Sequence, residues 1–109
     1  MNIERMMKAL GEPMRFKIYK ELLERPHCVR SLSQMLGITD SAVSQHLKVM
    51  REAELVHGEK YGYHTHFLPR QDAIDALAGL FLNMQQQAAS VDRSTTICNC
   101  KFRKEENMP

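Results

Sequence analysis

Three cysteines, Cys28, Cys98 and Cys100, give this chain its only thiols. Three thiolates suit a soft ion: trivalent arsenite or antimonite takes a pyramidal three-sulfur site, and copper(I) takes two or three sulfurs. Zinc or cadmium would want a fourth donor, which His27 beside Cys28 could supply. Alternatively the ion sits on Cys98 and Cys100 alone and Cys28 is a buried core thiol. The same thiols could instead form a disulfide, making a redox or reactive-sulfur switch. A different chemistry is written into "TDSAVSQHLKVMREAELV", residues 39–56. There Ser41, Ser44, Gln45 and Lys48 fall on one side of a helix. Glutamine can pair with adenine, serine can reach bases or phosphates, and lysine can meet guanine or phosphate.

Other groups offer less. His64 and His66 share one face of an expected strand, but two donors do not make a tight site. No nucleophile with its base and orienting partner, no glycine-rich phosphate loop and no paired carboxylates in a plausible cleft are found, so no enzyme is expected. The eight methionines fall on apolar stripes and read as core filler.

These groups need elements to hold them. Ile3, Met6, Met7 and Leu10 recur at helical spacing, and Gly11 stops that first helix. Pro13 suits the first turn of a second helix, which should bury Ile18, Tyr19, Leu22 and Leu23, keep Arg15, Lys17 and Lys20 wet, and end at Pro26. A short third helix over about 29–36 buries Val29, Leu32 and Leu36. After "GIT", Thr39 caps a fourth helix whose inner face is Val43, Leu47 and Met50. A helix pair joined by a glycine-containing turn is a helix-turn-helix pattern, whose second helix enters the DNA major groove. "LVHGEKYGYHTHFLP" follows, rich in strand formers and interrupted by Gly58 and Gly62, and reads as a hairpin. From residue 70 to 89 the helical period returns, with Ile74, Leu77, Phe81 and Met84 on one stripe.

The expected fold is therefore mainly α with a β-hairpin wing: a winged helix-turn-helix in the order α1-α2-α3-α4-β1-β2-α5. Residues 1–89 form the DNA-binding and dimerisation domain, and 90–109 a flexible tail carrying Cys98 and Cys100. At 109 residues, 43% hydrophobic and 26% charged, this is an ordinary globular composition for one domain. The core is too small to use every apolar stripe, so the first helix and the helix 70–89 are the candidates for a two-fold homodimer interface. A net charge of +2 permits a nucleic-acid partner without demanding one. No signal peptide and no membrane-length apolar run are visible, which points to the cytoplasm.

With these motifs placed, the chain resembles the ArsR/SmtB family of winged-helix repressors over residues 5 to about 82. "ALGEPMRFKIYKELLE" looks like the family's opening. In "HCVRSLSQMLGITDSAVSQHLKVMREAELV", Ser44, His46, Leu47, Lys48 and Arg51 fall in the family's register. The resemblance implies a homodimer that binds operator DNA and releases it when a metal, metalloid or oxidant occupies a sensor site. Ser41, Ser44, Gln45 and Lys48 become the reading set, and His46, nearer the buried edge, a packing or hydrogen-bonding residue. Lys60 is the only basic residue of the wing, since Tyr63 stands where the family commonly has arginine. Asp40 in the reading helix's first turn favours the helix dipole but would repel a phosphate. Glu54 replaces a usual glycine.

The family's zinc site on its last helix needs histidines, and residues 70–90 contain none beside Asp72 and Asp75. Its arsenic and cadmium branch uses "CVC" where this chain has "CVR", so Arg30 replaces one thiolate and could favour the Cys28 thiolate. The missing donors would come from Cys98 and Cys100: the roughly nine residues before Cys98 span at most about 30 Å, enough to reach Cys28 of the same or the partner subunit. The combined expectation is a repressor released from its operator by arsenite or antimonite bound at Cys28, Cys98 and Cys100. A redox-sensing repressor is the main rival, and a winged helix serving only protein interaction is the second.

Overall fold

The computed structural model describes residues 1–92 and residue 94. It contains α1 (Ile3–Leu10), α2 (Pro13–Glu24), α3 (Val29–Leu36), α4 (Asp40–Glu52), β1 (Val56–Tyr61), β2 (His64–Pro69) and α5 (Gln71–Ala89), in the expected order. The helix starts follow capping chemistry. Asn2, Glu12 and Thr39 accept from the backbone N–H groups of Arg5, Arg15 and Ala42, satisfying donors that a helix leaves unpaired. Pro13 occupies the first turn of α2, where its missing N–H costs nothing. Gly37 ends α3 at φ 68°, a left-handed turn that lets α4 leave in a new direction.

One core joins the elements. Met6, Ile18, Tyr19, Leu22, Leu32, Val43, Leu47, Met50, Leu55 and Val56 are buried, and Phe67, Ala73 and Leu77 close it from the wing and α5. Each of the larger side chains contributes about 1.5–3 kcal/mol by leaving water. Arg15 is half-exposed, and its Nε donates to the Ala9 carbonyl at 2.6 Å, tying α2 to the end of α1. Leu23 is 52% exposed, not part of the α2 core face. It lies one residue, 100° of helix, past Leu22 and outside the buried arc. Among the methionines Met6 and Met50 are core, whereas Met7, Met35 and Met84 are exposed, so the filler reading holds only in part.

The wing is a two-stranded antiparallel sheet, registered from Val56 opposite Pro69 to Tyr61 opposite His64, with Gly62 and Tyr63 forming the turn. Gly58 does not interrupt β1 but lies inside it, opposite Phe67. A Cβ at Gly58 would stand 2.8 Å from the Thr65 methyl, so a side chain there would push the strands apart. An isolated bridge adds His27 beside Phe67: Phe67 N–H donates to the His27 carbonyl at 2.8 Å, and His27 N–H donates back at 3.3 Å. This bridge fastens the wing to the start of α3, next to Cys28.

Glu54 links α4 to β1 with φ 62°. A left-handed φ costs a non-glycine residue about 1–2 kcal/mol, which explains why a glycine would suit the position. Its carboxylate is 3.8 Å from Arg70 Nη1, an exposed pair that offsets little. Glu54→Gly is expected to stabilise the fold by about 0.5–1 kcal/mol after glycine's larger chain entropy is counted. Urea unfolding would report it as a raised midpoint at constant slope; a lowered midpoint would mean that the Arg70 pair outweighs the backbone strain.

Candidate nucleic-acid interface

The fourth helix presents the side chains singled out above. Val43, Leu47 and Met50 anchor its inner face, leaving Ser41, Ser44, Gln45 and Lys48 exposed on the other. All four project from a rigid element beside α3, a geometry that can enter a groove. Lys60 is exposed on β1 and pairs across the sheet with Thr65. It therefore shares the wing face of Thr65 and Phe67, which turns toward α3 and α4. Tyr63, fully exposed, marks the wing tip.

Asp40 has a different role from the one expected. Ser33, buried at the α3 surface, donates its hydroxyl to Asp40 Oδ1, and Arg30 Nε lies 3.3 Å from Asp40 Oδ2. Both oxygens of the carboxylate are thus engaged by α3, and the charge that would repel a phosphate is countered. Arg30 is correspondingly directed to Asp40 and not simply to the neighbouring thiol. These bonds brace the angle between α3 and α4. His46 is half-buried, with Nδ1 3.9 Å from the Glu12 carboxylate that caps α2, so it sits at a helix junction and faces away from the reading side.

Cys28 is the residue just before α3; it is half-buried, and its side chain caps no backbone N–H. It lines a cleft of about 590 Å³ together with Val29, Arg30, Asp40, Arg51 and residues 63–65 and 67 of the wing. Cys98 and Cys100 lie outside the described residues. Among the described residues no group of three or more His, Cys, Asp or Glu side chains is arranged to hold a metal ion. His27 is 5% exposed, with Nδ1 2.9 Å from Ser31 Oγ and Nε2 buried without a partner among the described residues. Burial pushes its imidazole below the usual histidine range, and nearby Arg25 adds to the effect. On α5, Asp72 accepts from Arg70 and Asp75 from Gln71, so both carboxylates are already engaged.

The histidine pair of the wing belongs to a larger polar face. Cross-strand pairing places His57, Glu59 and Tyr61 beside Leu68, His66 and His64. His57 Nε2 and the Tyr61 hydroxyl each lie 3.0 Å from Glu59, and these two hydrogen bonds hold its carboxyl below the usual range. The Tyr61 and His66 rings stand 5.0 Å apart. This is a hydrogen-bonded, solvated strand face.

Sequence reasoning placed Arg51 in the family's register but gave it no role. It is exposed and lines both the cleft at Cys28 and a smaller hollow beside Ser44 and Lys48. The signal was available, because residues 44, 48 and 51 are spaced to stack on one helix face.

Comparison with known proteins adds a lineage to this geometry. Residues 12–57 match the family model described as bacterial regulatory protein, arsR family. The arsenical resistance operon repressor of Bacillus subtilis is 31% identical over 75 residues, covering 68% of this chain and 71% of that protein. The HTH-type transcriptional repressor SmtB of Mycobacterium tuberculosis is 39% identical over 57 residues, 52% of this chain but only 42% of that repressor's length. Among solved structures, one titled as a possible transcriptional regulator for arsenical resistance superposes with a TM-score of 0.66 at 25% identity, covering 81% of this chain and 97% of that one. None of the helices among the described residues is long and apolar enough to cross a membrane.

Proposed function

Since the chain belongs to the arsR family of bacterial regulatory proteins, we propose that it is a homodimeric operator-binding repressor that releases DNA when a thiophilic ion occupies its cysteines. The observation that carries the DNA reading is the exposed Ser41, Ser44, Gln45 and Lys48 face of α4, braced against α3 by Ser33, Arg30 and Asp40. Two copies related by a two-fold axis would set two such helices about one DNA turn apart. The pairing surface is the exposed apolar side of α1 and α5, where Met7, Phe81, Leu82 and Met84 stand in solvent.

Arsenite or antimonite is the effector that fits best. Cys28 lies on an open cleft, not in the core, and so is available to an ion. A three-thiol ion completed by Cys98 and Cys100 would need no fourth donor from His27, whose ring is buried and meets Ser31 through Nδ1. Each As–S bond would form as one thiol displaces one hydroxyl of arsenous acid as water, with no change of oxidation state. By linkage, operator DNA and the ion would weaken each other's binding by the same factor.

Titrating the reduced protein with arsenite while counting reactive thiols tests this reading. Loss of every thiol at one equivalent per chain is the expected result. Retention of Cys28 alone would confine the ion to Cys98 and Cys100. If all stayed reactive, arsenite would be excluded, and loss of DNA binding on oxidation, reversed by reductant, would favour the redox reading of the same cysteines.

A further inference from the structure

The cleft at Cys28 and the smaller hollow on α4 are two parts of one trough. Ser44, Lys48 and Arg51 stack along the exposed face of α4. The smaller hollow, about 170 Å³, is lined by Val29, Ser44, Leu47, Lys48, Arg51 and Phe67. The larger cleft shares Val29, Arg51 and Phe67 with it and continues to the wing turn at Tyr63. Arg51 thus stands where the reading face of α4 passes into the space between α3 and the wing.

Charge along the trough is positive. Asp40 is the one carboxylate on its lining, and Arg30 and Ser33 hold it. Lys48 and Arg51 form no ion pair within 4.0 Å among the described residues. Lys60 adds a further cation on the wing face that carries Thr65. Thr65 completes the polar lining from the wing. In a helix-turn-helix the helix before the reading helix crosses the DNA backbone. Here that helix is α3, whose first turn lies at this trough.

We propose that the trough seats the sugar-phosphate backbone of the bound duplex, with Arg51 as its phosphate partner and Cys28 beneath it. The inference rests on the reading of α4 as the groove-entering helix and extends it to a residue and a thiol. It also gives release a direct route. A group attached to Cys28 and a DNA strand in the trough would compete for one space, so exclusion would be direct and would not require the two reading helices to change their spacing.

The test uses a duplex that the wild-type protein enriches from a random-sequence pool, and a Cys98→Ser/Cys100→Ser chain in which Cys28 is the remaining thiol. Arg51→Ala should weaken binding to enriched and random duplexes alike, and lower the salt dependence by about one phosphate contact per protomer. Arg51→Lys should retain most of that dependence. Methylthiolation of Cys28 by methyl methanethiosulfonate should slow severalfold in the complex. An unchanged salt slope in Arg51→Ala, or labelling at equal rates with and without duplex, would overturn the inference. A wild-type protein that enriches no duplex would defeat the DNA reading itself, and is told apart by failing before any variant is made.

Discussion

Phe81→Glu combined with Leu82→Glu is expected to give a folded monomer whose affinity for a two-half-site operator falls by about 10²–10⁴-fold. Phe81 is 52% and Leu82 55% exposed, so neither change empties the core of the single chain. The buried anchors of α5, Ala73 and Leu77, lie one or two turns earlier and are untouched. What the acids remove is the apolar surface for a second copy: a two-fold axis brings each patch against itself, so introduced carboxylates face one another. A dimer places its second reading helix beside its half-site at an effective concentration that no free monomer reaches at working dilution, and losing that link carries the large effect. Sedimentation or light scattering reads the assembly state, and fluorescence anisotropy with a labelled duplex reads the affinity. A double variant that stays dimeric would move the interface away from α5. One that becomes monomeric yet binds as tightly would show that a single reading helix suffices.

The parts of this molecule that were legible in its sequence are those governed by local rules. The apolar period of "DSAVSQHLKVM" sets Val43, Leu47 and Met50 inward whatever lies beyond, and Thr39 caps that helix because its hydroxyl reaches the nearby Ala42 N–H. The exposure of Ser41, Ser44, Gln45 and Lys48 on the other face of α4 follows from the same period. Contacts between elements were not legible. Nothing in the spacing of Arg30, Ser33 and Asp40 says that they meet, because the turn at Gly37 decides where α4 points. The His27–Phe67 bridge joins residues forty positions apart through a single backbone pair, which leaves no repeating pattern to read. Glu54 shows the converse: its type argues against the left-handed φ it adopts, and chain geometry between α4 and β1 overrides it. Leu23 was misplaced because a hydrophobic residue at the edge of an amphipathic arc can lie on either side of the boundary. The thiol site is divided in the same way: Cys28 has a described setting on the cleft, while its expected partners Cys98 and Cys100 fall outside the described residues.

Gln45→Ala and Lys48→Ala should both cost DNA affinity but in distinguishable ways, because the two side chains carry different chemistry on the same face of α4. Gln45 has a donor and an acceptor and can pair with the edge of one base, so its truncation should cost about 1–3 kcal/mol per half-site. That loss should appear only on the preferred sequence, flattening the preference at one position of each half-site while binding to random duplex stays as it was. Lys48 lies one helical turn beyond Ser44 on the trough side and has no ion-pair partner among the described residues. If it meets phosphate, Lys48→Ala weakens all duplexes together and lowers the salt slope by about one per protomer. If it meets guanine, the loss instead follows sequence and the slope changes less. Glu52→Ala supplies the control: Glu52 is exposed at the end of the same helix, and removing its negative charge should leave affinity equal or slightly higher. Binding curves on enriched and random duplexes across a salt series separate these outcomes. Wild-type affinity in both Gln45→Ala and Lys48→Ala would remove α4 as the reading helix, and with it the reason that Ser33, Arg30 and Asp40 should need to fix its angle.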